Sequence, residues 1–123
     1  MSGLWVVGVW VREEEMVSME DLVKNVEQWA EDRGILEKAT PMDQFDKTME
    51  EIRELEGSLD AQAFGYTDKM GIKDDIGDIA VTLIIQAKMQ GLSFTDCLAH
   101  AWSEIKDRQG RMVDGQFVKE VEG

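Results

Sequence analysis

Residues 72–87, IKDDIGDIAVTLIIQA, constrain this chain more than any other stretch. At about 100° per residue, the turn of a helix, Asp75, Asp78, Val81, Thr82 and Ile85 share one face. Ile76, Ala80, Leu83, Ile84 and Ala87 share the opposite face. Beyond the first turn both faces are apolar, so the helix must be covered on two sides. Yet Asp74, Asp75 and Asp78 stand at its opening. Asp75 and Asp78, at i and i+3, are neighbours on the helix surface and project together at the mouth of a buried region. A helix destined for the interior carries carboxylates with it, and something there must balance them.

The other helices follow from periodicity and caps. A first helix is expected over 19–33. Ser18 and Asp21 resemble a capping box, Leu22, Val26 and Trp29 supply an apolar face, and Gly34 is the stop. The link ILEKAT leads to a second helix over 41–59, with Thr40 as N-cap and Pro41 at N1. Its core stripe is Phe45, Thr48, Ile52, Leu55 and Leu59, with Gly57 a point of bending or ending. DAQAFGYTDKMG is a connecting loop, or a loop with one helical turn, containing Tyr66 and Lys69. The third helix covers 72–90 and stops at Gly91, and Asp74 serves there as a start-of-helix charge. Ser93 caps a fourth, whose stripe is Phe94, Cys97, Leu98, Ala101, Trp102 and Ile105, ended by Gly110. In RMVDGQFV an Asp-Gly pair between apolar runs signals a hairpin. The fold class is all-α, an oligomeric four-helix-type bundle with a small C-terminal β-hairpin. Residues 18–123 form one helical domain. Residues 1–17 are an extension open to three readings: a strand, a flexible segment, or a piece foreign to the native product, with Met16 or Met19 as alternative starts.

The second helix carries a matching acid pair. In KTMEEIREL, Glu51 and Glu54 stand at i and i+3, with Lys47 one turn before Glu51. If the second and third helices pack antiparallel, Glu51, Glu54, Asp75 and Asp78 converge. Four carboxylates in a low-dielectric cleft need counter-charge. An oxygen-only donor set suits Mg²⁺ or Mn²⁺. Such pairs also arise on solvated faces of an acidic chain, and that reading stands beside the metal one. No histidine or cysteine has zinc spacing, His100 and Cys97 being the single residues of their kinds. Cys97 is expected in the core, His100 off the apolar stripe.

Composition narrows the partners. With 26 acids against 13 bases the net charge is −13, which repels phosphate backbones and argues against nucleic-acid binding. No apolar run approaches the ~20 residues of a membrane span, and LWVVGVWV lacks the flanks of a signal peptide. A single cysteine points to a reducing, cytoplasmic setting.

EEIRE at 50–54 and DDIGD at 74–78 resemble the E-E-x-x-E and E/D-x-x-D elements of the MazG-like all-α nucleoside triphosphate pyrophosphohydrolases. EIKDRQGRMVDGQFVKE resembles the tails of short phage and bacterial members. The resemblance covers about residues 19–120. It implies Mg²⁺-dependent hydrolysis of a (d)NTP to the (d)NMP and pyrophosphate by a homodimer or homotetramer. It implies Glu51, Glu54, Asp75 and Asp78 as metal ligands, Glu50, Glu51 and Glu54 as the catalytic acids, and Lys47, Lys106, Arg108 and Arg111 on phosphate. Trp29 is a candidate for stacking on the base, although a core tryptophan is the blander reading. Two departures stand out: Ser103 where relatives often have Asn, and Asp75 where many have Glu. Rival expectations are a dUTP or dCTP diphosphatase, a phosphoribosyl-ATP pyrophosphohydrolase, and a non-catalytic acidic oligomer that binds a protein partner.

Overall fold

The computed structural model describes residues 3–6, 9–12, 17–66 and 69–120. The chain is mostly helical. Among the described residues are α1 (Met19–Asp32), α2 (Ile35–Lys38), α3 (Pro41–Ala63), α4 (Lys69–Met89) and α5 (Phe94–Ile105). Two antiparallel hairpins flank them, β1 (Gly3–Val6) with β2 (Val9–Arg12), and β3 (Gly110–Val113) with β4 (Gln116–Lys119). Met16 lies outside the described residues.

Local chemistry sets most boundaries. Ser18 Oγ accepts the Asp21 amide at 3.1 Å and opens α1. At α3 the box is reciprocal: Thr40 Oγ1 accepts the Asp43 amide at 3.1 Å, and Asp43 Oδ2 accepts the Thr40 amide at 2.9 Å. Gly91, at φ 72°, closes α4, where the Leu92 amide reaches the Ala87 carbonyl at 2.9 Å; a residue with a Cβ resists that left-handed cap. The C-terminal hairpin turns on Asp114 and Gly115 at φ 49° and 81°, the positive pair that matches strand twist.

Several expected boundaries and faces are corrected. ILEKAT contains the single turn α2 rather than only a link. Gly57 does not end α3, which runs on to Ala63; a Cβ there would meet open space. The α4 helix starts at Lys69, so its first turn holds no acid and Asp74 is not a start-of-helix charge. Helix α5 ends at Ile105, and Gly110 opens β3 instead. In α1 the buried residues are Val23 and Ala30, while Leu22 and Trp29 are exposed. No residue of α5 is buried, and Cys97 is an exposed thiol rather than a core residue. His100 is exposed as expected and pairs with Glu104.

Helix α4 is the centre of the bundle. It packs along α3 and also against α1, α2 and α5. The apolar core is Val23 and Ala30 of α1 with Ile84, Ile85 and Ala87 of α4. The interface with α3 is different. There the buried residues are Gln44, Thr48 and Glu51 of α3 and Asp75 and Thr82 of α4. The expected stripe is thus turned outward: Phe45, Ile52 and Leu59 are exposed, and of that set only Thr48 is buried. Among the described residues no helix is long and apolar enough to cross a membrane.

Candidate metal centre

The α3–α4 interface is an antiparallel ladder of polar rungs. At one end Gln86 Nε2 donates to the Pro41 carbonyl at 2.9 Å. Next, Gln44 Nε2 donates to the Thr82 carbonyl at 3.1 Å, and Thr48 Oγ1 donates to Thr82 Oγ1 at 2.9 Å. At the far end Ser58 Oγ donates to Asp75 Oδ2. On α3 the side chains of these rungs, Gln44, Thr48 and Ser58, fall with Glu51 on one continuous line of the helical surface.

Between the Thr48 and Ser58 rungs the acids meet. One carboxylate oxygen from each of Glu51, Glu54 and Asp78 lies within 4.8 Å of the other two. Glu51 is buried, whereas Glu54 and Asp78 open to solvent. Lys47 Nζ sits 3.3 Å from Glu50 Oε1 and 3.4 Å from Glu51 Oε1. The second oxygen of Glu51, Oε2, is buried with no hydrogen-bond partner. A buried acceptor without a donor is costly.

The electrostatics follow. Glu54 has its pKa raised, first by the hydrogen bond its protonated form makes to Glu51 and then by the Glu51 charge. Asp78 is raised by desolvation, then by Glu51, Asp74 and Asp75, with Lys47 opposing. Lys47 is raised in turn, chiefly by Glu50. Two neighbouring carboxyls therefore resist ionisation, and one cation partly offsets them.

Of the expected residues, Lys47, Glu50, Glu51, Glu54 and Asp78 come together. Asp75 is adjacent, its charge felt by Glu54 and Asp78, but its carboxylate is engaged by Ser58. Lys106, Arg108 and Arg111 are exposed at the end of α5 and the start of β3. Among the described residues no hydrogen bond or ion pair joins them to the acids. Trp29 is half-exposed, and the Arg33 guanidinium covers its ring at 5.0 Å. The sequence places Gln44 in the row of Lys47 and Glu51, and Thr82 on the face of Asp75 and Asp78, but sequence reasoning missed Ser58 and the hydrogen bonds by which Gln44, Thr48 and Thr82 frame the site. The signal was present, since Gln44, Thr48, Glu51, Leu55 and Ser58 follow i, i+4, i+7, i+11 and i+14.

An uncharacterized 18.2 kDa protein in the rep-hol intergenic region of Haemophilus phage HP1 is 44% identical over 73 residues, or 59% of this chain and 42% of that protein. The chain thus spans less than half the length of that relative. No family model and no solved structure matches the chain.

Proposed function

We propose that the protein is a Mg²⁺-dependent nucleoside triphosphate pyrophosphohydrolase, converting a (d)NTP to the (d)NMP and pyrophosphate. The observation that carries this reading is the meeting of Glu51, Glu54 and Asp78 across α3 and α4. The residues fit a hard cation. Their donors are all oxygen, the partnerless Glu51 Oε2 is an open ligand atom, and the 4.8 Å spread is close to the ~4 Å spanned by two Mg–O bonds. Glu51, Glu54 and Asp78 would hold the metal, and Asp75 would join them by releasing Ser58. Mn²⁺ fits the same donor set.

A bound divalent cation supplies charge neutralisation for the triphosphate and acidifies water. The remaining work falls to side chains. Water adds to phosphorus, a P–O anhydride bond breaks, and the water proton passes to a carboxylate. Glu50, Glu51 and Glu54 are the carboxylates at the cluster that would take that proton. Glu50 holds Lys47 in place and orients the water. Lys47 faces the charge that develops on the departing pyrophosphate. Lys106, Arg108 and Arg111 stay in the proposal as exposed cations for phosphate, and Trp29 as a stacking surface for the base. A dUTP or dCTP diphosphatase or a phosphoribosyl-ATP pyrophosphohydrolase would use the same acids with another substrate. The proposal includes self-association as a homodimer or homotetramer, supported by the outward apolar side chains of α3 and α5.

The test is pyrophosphate release from a panel of canonical and modified triphosphates, with Mg²⁺ and then EDTA. Mg²⁺-dependent release is expected, reduced about 100-fold or more in Glu54→Gln. No release by the folded protein overturns the reading and favours the non-catalytic, partner-binding oligomer.

A further inference from the structure

We infer that Thr48 and Thr82, with Gln44, are positioning residues: their buried hydrogen bonds fix how α4 is rotated on α3 and so bring the acids of the two helices together. The inference rests on the metal reading above, which it deepens.

The need for such a device lies in α4 itself. From Ile79 to Ala87 the helix is apolar on opposite faces, so hydrophobic burial alone does not choose which face meets α3. A slip of one residue turns the helix by about 100° and moves it 1.5 Å. It would bring Leu83, now exposed, toward the place of Thr82. Asp78 would swing away from Glu51 by the same angle.

Thr82 makes that slip unfavourable. Its Oγ1 donates to the Ile79 carbonyl at 2.7 Å and accepts from Thr48 Oγ1 at 2.9 Å. Its carbonyl accepts from Gln44 Nε2 at 3.1 Å. The Thr48 hydroxyl also lies 3.1 Å from the Gln44 carbonyl. A hydroxyl has one proton to give, and that of Thr82 is committed to its own helix, so Thr48 must be the donor between them. Gln44, Thr48 and Thr82 are each no more than 7% exposed. In any other register Gln44 Nε2 loses its Thr82 acceptor, and the two threonine hydroxyls keep only the bonds to their own helices, which leaves buried hydrogen-bonding capacity unused. Buried polar contacts that specify register are a well-attested use of such groups.

The clasp also lies where its effect is greatest. Thr48 stands three residues before Glu51, and Thr82 four residues after Asp78. Each is about one helical turn, near 5 Å, from its acid. An error of rotation at the threonines reaches the carboxylates almost undiminished.

The test is Mn²⁺ binding to the nucleotide-free chain, read from the EPR signal of the free ion, with thermal unfolding in EDTA alongside. Thr82→Val and Thr48→Val keep side-chain shape and remove the hydroxyl. Each is expected to weaken Mn²⁺ binding about tenfold. The double variant should be no weaker than the single ones, because both break one clasp. Thr82→Ser retains the hydroxyl and should bind close to wild type. If Thr82→Val does not fold, Thr48→Val and Thr82→Ser carry the comparison. Valine variants with lowered unfolding temperature but wild-type Mn²⁺ affinity overturn the inference and leave the metal reading standing. A wild type that binds no Mn²⁺ overturns both.

Discussion

Asp78 illustrates how a single carboxyl can oppose folding. Its pKa is raised by desolvation and by the charges of Glu51, Asp74 and Asp75. That of Glu54 is raised chiefly by Glu51. A carboxyl with a raised folded pKa binds its proton more tightly in the folded chain than in the unfolded one. The resulting stability is present below the ordinary values of 3.8 and 4.5 and is lost as pH rises through the raised values. Without a divalent cation the folded chain is therefore less stable at neutral pH than in mild acid, as far as these two groups decide it. Asp78→Asn removes one of the repelling charges. In EDTA at pH 7 this variant should unfold at a higher temperature than wild type, by differential scanning calorimetry. Added Mg²⁺ should raise the wild-type midpoint and move the variant little. A lower midpoint for Asp78→Asn in EDTA would mean that repulsion does not dominate at this position.

At the scale of elements, α3 depends on its reciprocal N-terminal box. Thr40→Ala removes one of the two cap bonds and should cost about 1 kcal/mol in urea unfolding; a loss well below that would show that tertiary contacts with α4 hold the end of α3 unaided. This cap shows which features a sequence exposes. Thr40, Pro41, Gly91 and Asp114-Gly115 act through neighbours a few residues away, so their effects follow from spacing alone. The acid pairs of the site were legible for the same reason, being i, i+3 pairs on single helices. Which face of α3 meets α4 was not. Phe45, Ile52 and Leu59 are more apolar than Gln44, Thr48 and Glu51, and hydrophobicity alone selects the wrong line. The polar line wins because α4 presents Asp75, Asp78 and Thr82 to it. That complementarity depends on two helices at once. The start of α4 escaped notice for a simpler reason: Gly71 lies in its first turn, and a glycine there reads as loop.

The described residues bury little apolar surface. Among them the buried apolar residues are Val23, Ala30, Ile84, Ile85 and Ala87, and no large side chain is fully buried. Trp102 is 60% exposed, Leu98 54%, Phe117 52% and Phe45 48%. Covering one Leu or Phe side chain stabilises by about 1.5–3 kcal/mol. Covering half a dozen rivals the ~5–15 kcal/mol that holds a domain together. A foreign partner would have to be present whenever the chain is folded, whereas a second copy always is. Self-association is the proposed cover for these side chains. On α5, Leu98, Trp102 and Ile105 recur at i, i+4 and i+7, the spacing of a helix that docks on another. Sedimentation velocity should give a mass that is a multiple of 13.9 kDa. Trp102→Glu places a charge in the middle of that line and should shift the distribution toward 13.9 kDa, with lower unfolding temperature at low concentration. A wild type that sediments as a folded 13.9 kDa species across the micromolar range would show that α3–α4 packing sustains the bundle alone, and would leave the outward apolar face for another partner.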